Sequence, residues 1–103
     1  MNYTENYKGI KLDVQAVDIT IDDDVQLTIR KAMDKLLKHT PNINFADVYL
    51  KVEQTHTTAN KYVSLRVGIP GPDVFADDRG DHFEPTIRDV TEKLVKQLQK
   101  QKN

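Results

Sequence analysis

Few residues in this chain have chemistry to offer beyond charge. His39, His56 and His82 are far apart in sequence and fall at predicted element ends or in loops, where a lone imidazole is ordinarily just solvated. There is no cysteine, hence no thiol nucleophile, zinc–thiolate site or disulfide framework. Asp22-Asp23-Asp24 lacks the further converging ligands that a metal site needs. Three such carboxylates ahead of an apolar-periodic run instead cap free backbone N–H groups and suit the positive end of a helix dipole. Gly68-Ile-Pro-Gly71 is a turn and not a phosphate-cradling loop, since no helix with Gly-Lys-Ser/Thr follows it. No Ser-His-Asp or paired-carboxylate arrangement follows from the spacing. Neither an enzyme, a cofactor nor a resident metal is expected.

What remains is the placement of charge. The chain carries a formal net charge of −1, but the average conceals a segregation. Arg30, Lys31, Lys35, Lys38, Arg88, Lys93, Lys96, Lys100 and Lys102 lie in two amphipathic stretches, beyond the first turn of each. Only Asp34, Asp89 and Glu92 stand against them. If both stretches are helices covering the same sheet face, their outer surfaces form one broad positive plate, for which phosphate is the commonest macromolecular partner. Lysines on solvent-facing helix positions are also ordinary aids to solubility, so charge alone does not establish that partner. An aromatic-glycine RNA-recognition signature and a zinc finger are both missing.

The plate needs elements to hold it. From Gly9 onward, Ile10, Leu12, Val14 and Ala16 alternate with Lys11, Asp13 and Gln15, which predicts a strand. A helix is expected from about Asp23 to His39, with Val25, Ile29, Ala32, Met33 and Leu36 as its core-facing stripe. Thr40-Pro41-Asn42 stops it. The stretch from Val48 to Ala76 reads as three short strands in an antiparallel meander. Val48, Leu50 and Val52, then Val63, Leu65, Val67 and Ile69, form its apolar face, and Pro70-Gly71-Pro72 is the firm break. Tyr49 and Tyr62 fall on the outer face beside Lys51 and Arg66, either as a cross-strand pair that stiffens the sheet or as stacking platforms for bases. Phe75 to Glu84 reads as an acidic connection centred on Gly80. Pro85 then opens a second helix running to about Lys100, with Ile87, Val90, Leu94 and Leu98 buried. Residues 1–8 are expected to be a flexible end, and residues 9–103 a single domain.

At 103 residues the chain suffices for one domain of two packed layers. No run approaches the roughly 20 apolar residues of a membrane span. The polar start MNYTENYKG lacks a signal core, so a cytoplasmic location is expected.

Several motifs, taken in order, resemble the ribosome hibernation promoting factor family, also called ribosome-associated inhibitor or sigma-54 modulation proteins. They are Ile21-Asp-Asp-Asp-Val25, Met33-Asp-Lys-Leu36, Asp47-Val-Tyr-Leu-Lys-Val-Glu53, Asn60-Lys61 and Val67-Gly-Ile-Pro-Gly71. Val74-Phe-Ala76, His82-Phe-Glu84 and Lys93-Leu-Val-Lys-Gln-Leu-Gln-Lys100 follow. The likeness runs from about Lys8 to Lys102. It implies an α+β fold: a β-α-β-β-β-α domain with a four-stranded sheet and two helices on one face, similar to double-stranded-RNA-binding domains. It also implies the short form of the family, binding the small ribosomal subunit and its 16S rRNA in the channel for messenger and transfer RNA. Such binding silences idle ribosomes under stress or in stationary phase. The family's RNA-holding positions correspond here to Arg30, Lys31, Lys35, Lys38, Arg88, Lys93, Lys96 and Lys100. No membrane and no small-molecule substrate is implied, and the protein is expected to be monomeric off the ribosome. Val95 departs from the pattern, standing where similar sequences often have a basic residue. Asp73, Asp77, Asp78 and Asp81 further load the connection before the second helix. A competing reading is a protein–protein regulatory module that uses the outer sheet face or an exposed sheet edge.

Overall fold

A computed structural model describes residues 1–101. Five strands and two helices follow in the order β1 (Asn2–Tyr7), β2 (Ile10–Val17), α1 (Asp23–His39), β3 (Phe45–Val52), β4 (Lys61–Gly68), β5 (Val74–Gly80) and α2 (Phe83–Gln101). The strands form one sheet in that same spatial order. Only β2 and β3 run parallel, joined through α1, and the other neighbours are antiparallel. The α+β class and the two helices agree with expectation, but the sheet has five strands and not four.

The fifth strand is the chain's start, where a flexible end was expected. Tyr7 and Ile10 pair across a two-residue hairpin loop, in which Lys8 and Gly9 have φ of 50° and 86°. Positive φ at both loop positions is the geometry whose twist matches that of the strands. The Asn6 side chain caps the loop, accepting from Gly9 N at 3.2 Å. Tyr3, Glu5 and Tyr7 alternate with Asn2, Thr4 and Asn6, and the former are half-buried on the side of the sheet that α1 covers. Three polar contacts fasten β1 to that helix. The Tyr7 hydroxyl donates to the Asp34 carboxylate at 3.0 Å, Lys8 reaches the same carboxylate at 2.8 Å, and Arg30 Nε donates to Glu5 at 3.0 Å.

The core lies between the helices and one sheet face. Ile10, Leu12, Val14, Leu50, Val63 and Val67 are fully buried from the sheet, and meet Ile29, Met33, Leu36, Val90 and Leu94 from the helices. The predicted stripe of α1 is buried in full. That of α2 is buried too, and is widened by Thr86, Thr91 and Val95. Val95, 5 % exposed, is therefore a core residue, and a cation there would have to be buried. Asp22 caps α1 by accepting from Val25 N at 2.9 Å; at its other end Thr40 N donates to Leu36 O at 2.9 Å.

The meander's third strand, expected to end at Ala76, runs on to Gly80 as β5 and takes in most of the expected acidic connection. Val74 and Ala76 point into the core, so the neighbouring acids must face outward or lie at the margin. Asp77 accepts from the Tyr62 hydroxyl at 2.8 Å on the outer face, whereas Asp78 turns toward α2 and meets Lys93 at 3.3 Å. The helix begins at Phe83, two residues earlier than expected, and Pro85 still sits in the first turn, where an N–H has no partner to lose. Gly80 lets α2 start so close to the sheet: a Cβ there would lie 2.2 Å from the Thr86 hydroxyl.

Candidate nucleic-acid interface

The two helices are parallel. Along α2, Gln97 Nε2 donates to Phe75 O at 2.7 Å, Lys93 donates to Asp77 O at 2.9 Å, and Thr86 lies over Gly80, so α2 runs antiparallel to β5. α1 likewise returns between the parallel strands β2 and β3. The acidic first turns, with Asp23 and Asp24 on α1 and Glu84 on α2, therefore share one end of the layer. Lys38, His39 and Lys100 share the other. The basic plate is thus graded along the helices and not uniform.

Where the helices meet, small residues make a trough. Thr28, Ala32 and Thr91 supply the short side chains at the contact, and Lys31 and Lys35 of α1 and Arg88 and Glu92 of α2 complete the lining of a groove of about 220 Å³. Thr28 and Thr91 turn their hydroxyls back onto the helix carbonyls of Asp24 and Ile87, at 2.8 and 2.7 Å. The floor consequently offers little hydrogen bonding of its own, and the charged rim dominates. That rim holds three cations and one carboxylate. Lys35 and Glu92, about half-exposed, form an ion pair across it.

The eight cations singled out from the sequence are not equivalent. Lys31, Lys35 and Arg88 are brought together at the groove. Lys38 and Lys96 are exposed on the same outward layer, with Lys100 beyond them toward the end of α2. Arg30 turns to the β1 flank and pairs with Glu5, which is 22 % exposed. Lys93 turns to the β5 flank, held by Asp78 and the Asp77 carbonyl. Among the described residues, no carboxylate lies within ion-pairing range of Lys31, Lys38, Arg88, Lys96 or Lys100. Lys102 falls outside the described residues. The groove floor and the pairing of Glu92 with Lys35 escape sequence reasoning, because which face of α1 meets which face of α2 is a tertiary fact.

The remaining candidates stay apart from this layer. His39 ends α1, His56 lies 3.8 Å from Glu53 in the β3–β4 loop, and His82 precedes α2. Among the described residues no three His, Cys, Asp or Glu side chains gather in a way that could hold a metal ion. No helix among them is long and apolar enough to cross a membrane. On the outer sheet face Tyr49 and Tyr62 meet edge to face with ring centroids 6.1 Å apart, which is the cross-strand pairing. Arg66 and Arg79 sit over Phe75 and Tyr62 at 5.1 and 5.2 Å. Asp47 on this face is raised above the ordinary carboxylate range, first by burial and then by the neighbouring Asp13 charge. Asp34 on α1 is lowered, chiefly by its hydrogen bond from Lys8.

Residues 12–103 match the sequence profile of the sigma 54 modulation protein / S30EA ribosomal protein family. The chain belongs to that family. The match starts within β2, so β1 lies outside it. A search of curated protein sequences returns no significant match. Among solved structures, the fold is similar to that of a ribosomal subunit interface protein from Coxiella burnetii, with a TM-score of 0.77 at 19 % identity, covering 88 % of this chain and 96 % of that one. It is also similar to the Thermus thermophilus Protein Y N-terminal domain, with a TM-score of 0.73 at 16 % identity, covering 89 % and 97 %. For this member of the S30EA family, the interhelical groove and its basic rim are the surface on which a functional reading rests.

Proposed function

We propose that this protein is a cytoplasmic, non-enzymatic ribosome hibernation factor. It binds the small ribosomal subunit through its helical layer, in the channel that messenger and transfer RNA occupy, and so stabilises idle ribosomes under stress or in stationary phase. The observation that carries this reading is the convergence of Lys31, Lys35 and Arg88 on one groove in a chain of the S30EA family. The mechanism requires no bond making: cation–phosphate contacts fix the domain's position and its bulk excludes other ligands. The two helices would meet ribosomal RNA by shape and charge, as in double-stranded-RNA-binding domains. The protein–protein alternative is weakened at one edge, because α2 side chains already occupy the β5 carbonyls of Phe75 and Asp77. The test is the triple variant Lys31→Glu, Lys35→Glu, Lys96→Glu in co-sedimentation with purified small subunits. Loss of co-sedimentation with an almost unchanged unfolding midpoint is expected; retained binding refutes the charged-layer reading.

A further inference from the structure

The rim of the interhelical groove contains its own anion. Glu92 reaches across from α2 to Lys35 of α1, at the place where Lys31 and Arg88 also converge. A carboxylate oxygen and a phosphate oxygen compete for the same donors, ammonium and guanidinium, in the same way. We propose that this groove is a seat for a single RNA phosphate and that Glu92 is its built-in competitor, leaving Lys35 when the phosphate arrives. The inference rests on the RNA-binding reading above and names the residue that limits its strength.

Two physical consequences follow. A phosphate entering the seat must displace Glu92 from Lys35 and then endure its charge at close range, so Glu92 weakens binding and favours ligands presenting concentrated negative charge. The pair also changes the salt response. The phosphate that takes Lys35 releases its own condensed cations, but the freed Glu92 carboxylate gathers some in turn, so Lys35 contributes less to the salt dependence than an unpaired lysine does. Glu92 is about half-exposed and is not one of the buried core residues, so its amide isostere keeps the fold.

The experiment compares the full chain with Glu92→Gln, Lys35→Gln and the double variant, each checked for an unchanged melting midpoint. Affinity for purified small subunits is measured from about 50 to 200 mM salt, the range in which phosphate contacts dominate. Expected are about fivefold tighter binding of Glu92→Gln at the low-salt end and a steeper log–log salt slope, by less than the roughly 0.7 to 0.9 of one full contact. In the Lys35→Gln background, Glu92→Gln should gain less than in the unaltered chain, because only its direct repulsion of the phosphate is then relieved. Unchanged or weaker binding by Glu92→Gln overturns the seat, since Glu92 would then be a spectator or a support for Lys35. Should the unaltered chain not bind small subunits, the ribosomal reading fails by itself. The seat is then decided with tripolyphosphate, followed by amide NMR shifts. Shifts centred on Lys31, Lys35 and Arg88 and enlarged in Glu92→Gln sustain it; shifts elsewhere, or none, overturn it.

Discussion

The placement of the eight helical cations makes the salt dependence of RNA binding a quantitative test. Arg30 and Lys93 are engaged on the flanks by Glu5 and Asp78. That leaves six on or beside the outward layer: Lys31, Lys35, Lys38, Arg88, Lys96 and Lys100. Each phosphate neutralised releases condensed counterions, and the logarithm of the binding constant falls with the logarithm of salt by about 0.7 to 0.9 per contact. Six contacts give a slope of about −4 to −5. Raising salt fourfold should therefore weaken binding by roughly 300- to 2000-fold. Glu92 moves the figure toward the shallow end, because its carboxylate, once freed from Lys35, gathers cations in turn.

The sharper form of the test compares single substitutions. Lys31→Gln or Lys96→Gln should each flatten the slope by nearly one, with affinity falling similarly for any RNA offered. Arg30→Gln and Lys93→Gln should leave the slope within error of the unaltered chain, although they remove the same formal charge. Filter binding or fluorescence anisotropy on small subunits, at five or six salt concentrations, resolves a difference of that size. Equal effects at all four positions would mean that net charge, and not the geometry of the layer, governs binding. A slope shallower than about −2 would remove the helical layer as the main contact altogether.

Two further predictions concern the support for that layer. Gly80→Ala sets a methyl group 2.2 Å from a Thr86 hydroxyl that is itself bonded to His82 O at 2.7 Å, so either that bond is given up or the start of α2 shifts. A loss of about 1–3 kcal/mol in urea unfolding is expected, and a loss within error would show that the helix start yields freely. Asp34 and Asp47 should give opposite pH responses. Asp34 is lowered in the fold, so its contribution is complete above the ordinary aspartate range and is lost as pH falls through its folded value. Asp47 is raised, so the unfolded chain gives up that proton first and stability declines as pH rises from the ordinary aspartate value to the folded one. Asp47→Asn should accordingly stabilise the protein at neutral pH, by less than about 1 kcal/mol on so exposed a face. Asp34→Asn should destabilise it there and soften the acid-induced loss. Thermal melts at pH 3 to 8 read both signs, and the same sign for the two variants would refute the argument.

The elements legible in the sequence are those whose apolar period is strong. Asp23–His39 is bounded by its cap and its proline, and Ile10 to Ala16 and Val63 to Val67 alternate without interruption, so burial alone dictates them. β1 lacks that signal. Its inward residues are Tyr3, Glu5 and Tyr7, which satisfy α1 by hydrogen bonds as much as by burial, and its one local mark is the Lys8-Gly9 turn. The far half of β5 is illegible for a related reason: Asp77 and Asp78 continue the strand expected to end at Ala76 because Tyr62 and Lys93, distant in sequence, receive them on opposite faces.

The same distinction governs the candidate site. That lysines would populate the outer arc of both helices follows from the helical period. Which of them act together does not, because ion pairs formed across elements select among positions that the period treats alike. Arg30 and Lys31 are neighbours in the chain, yet one is held at Glu5 and the other lines the groove. A carboxylate at position 92 reads from sequence as one of three acids set among the helical cations, with no partner assigned. Only the parallel packing of α1 and α2 brings it to Lys35, where a single charge bears on how tightly a phosphate is held.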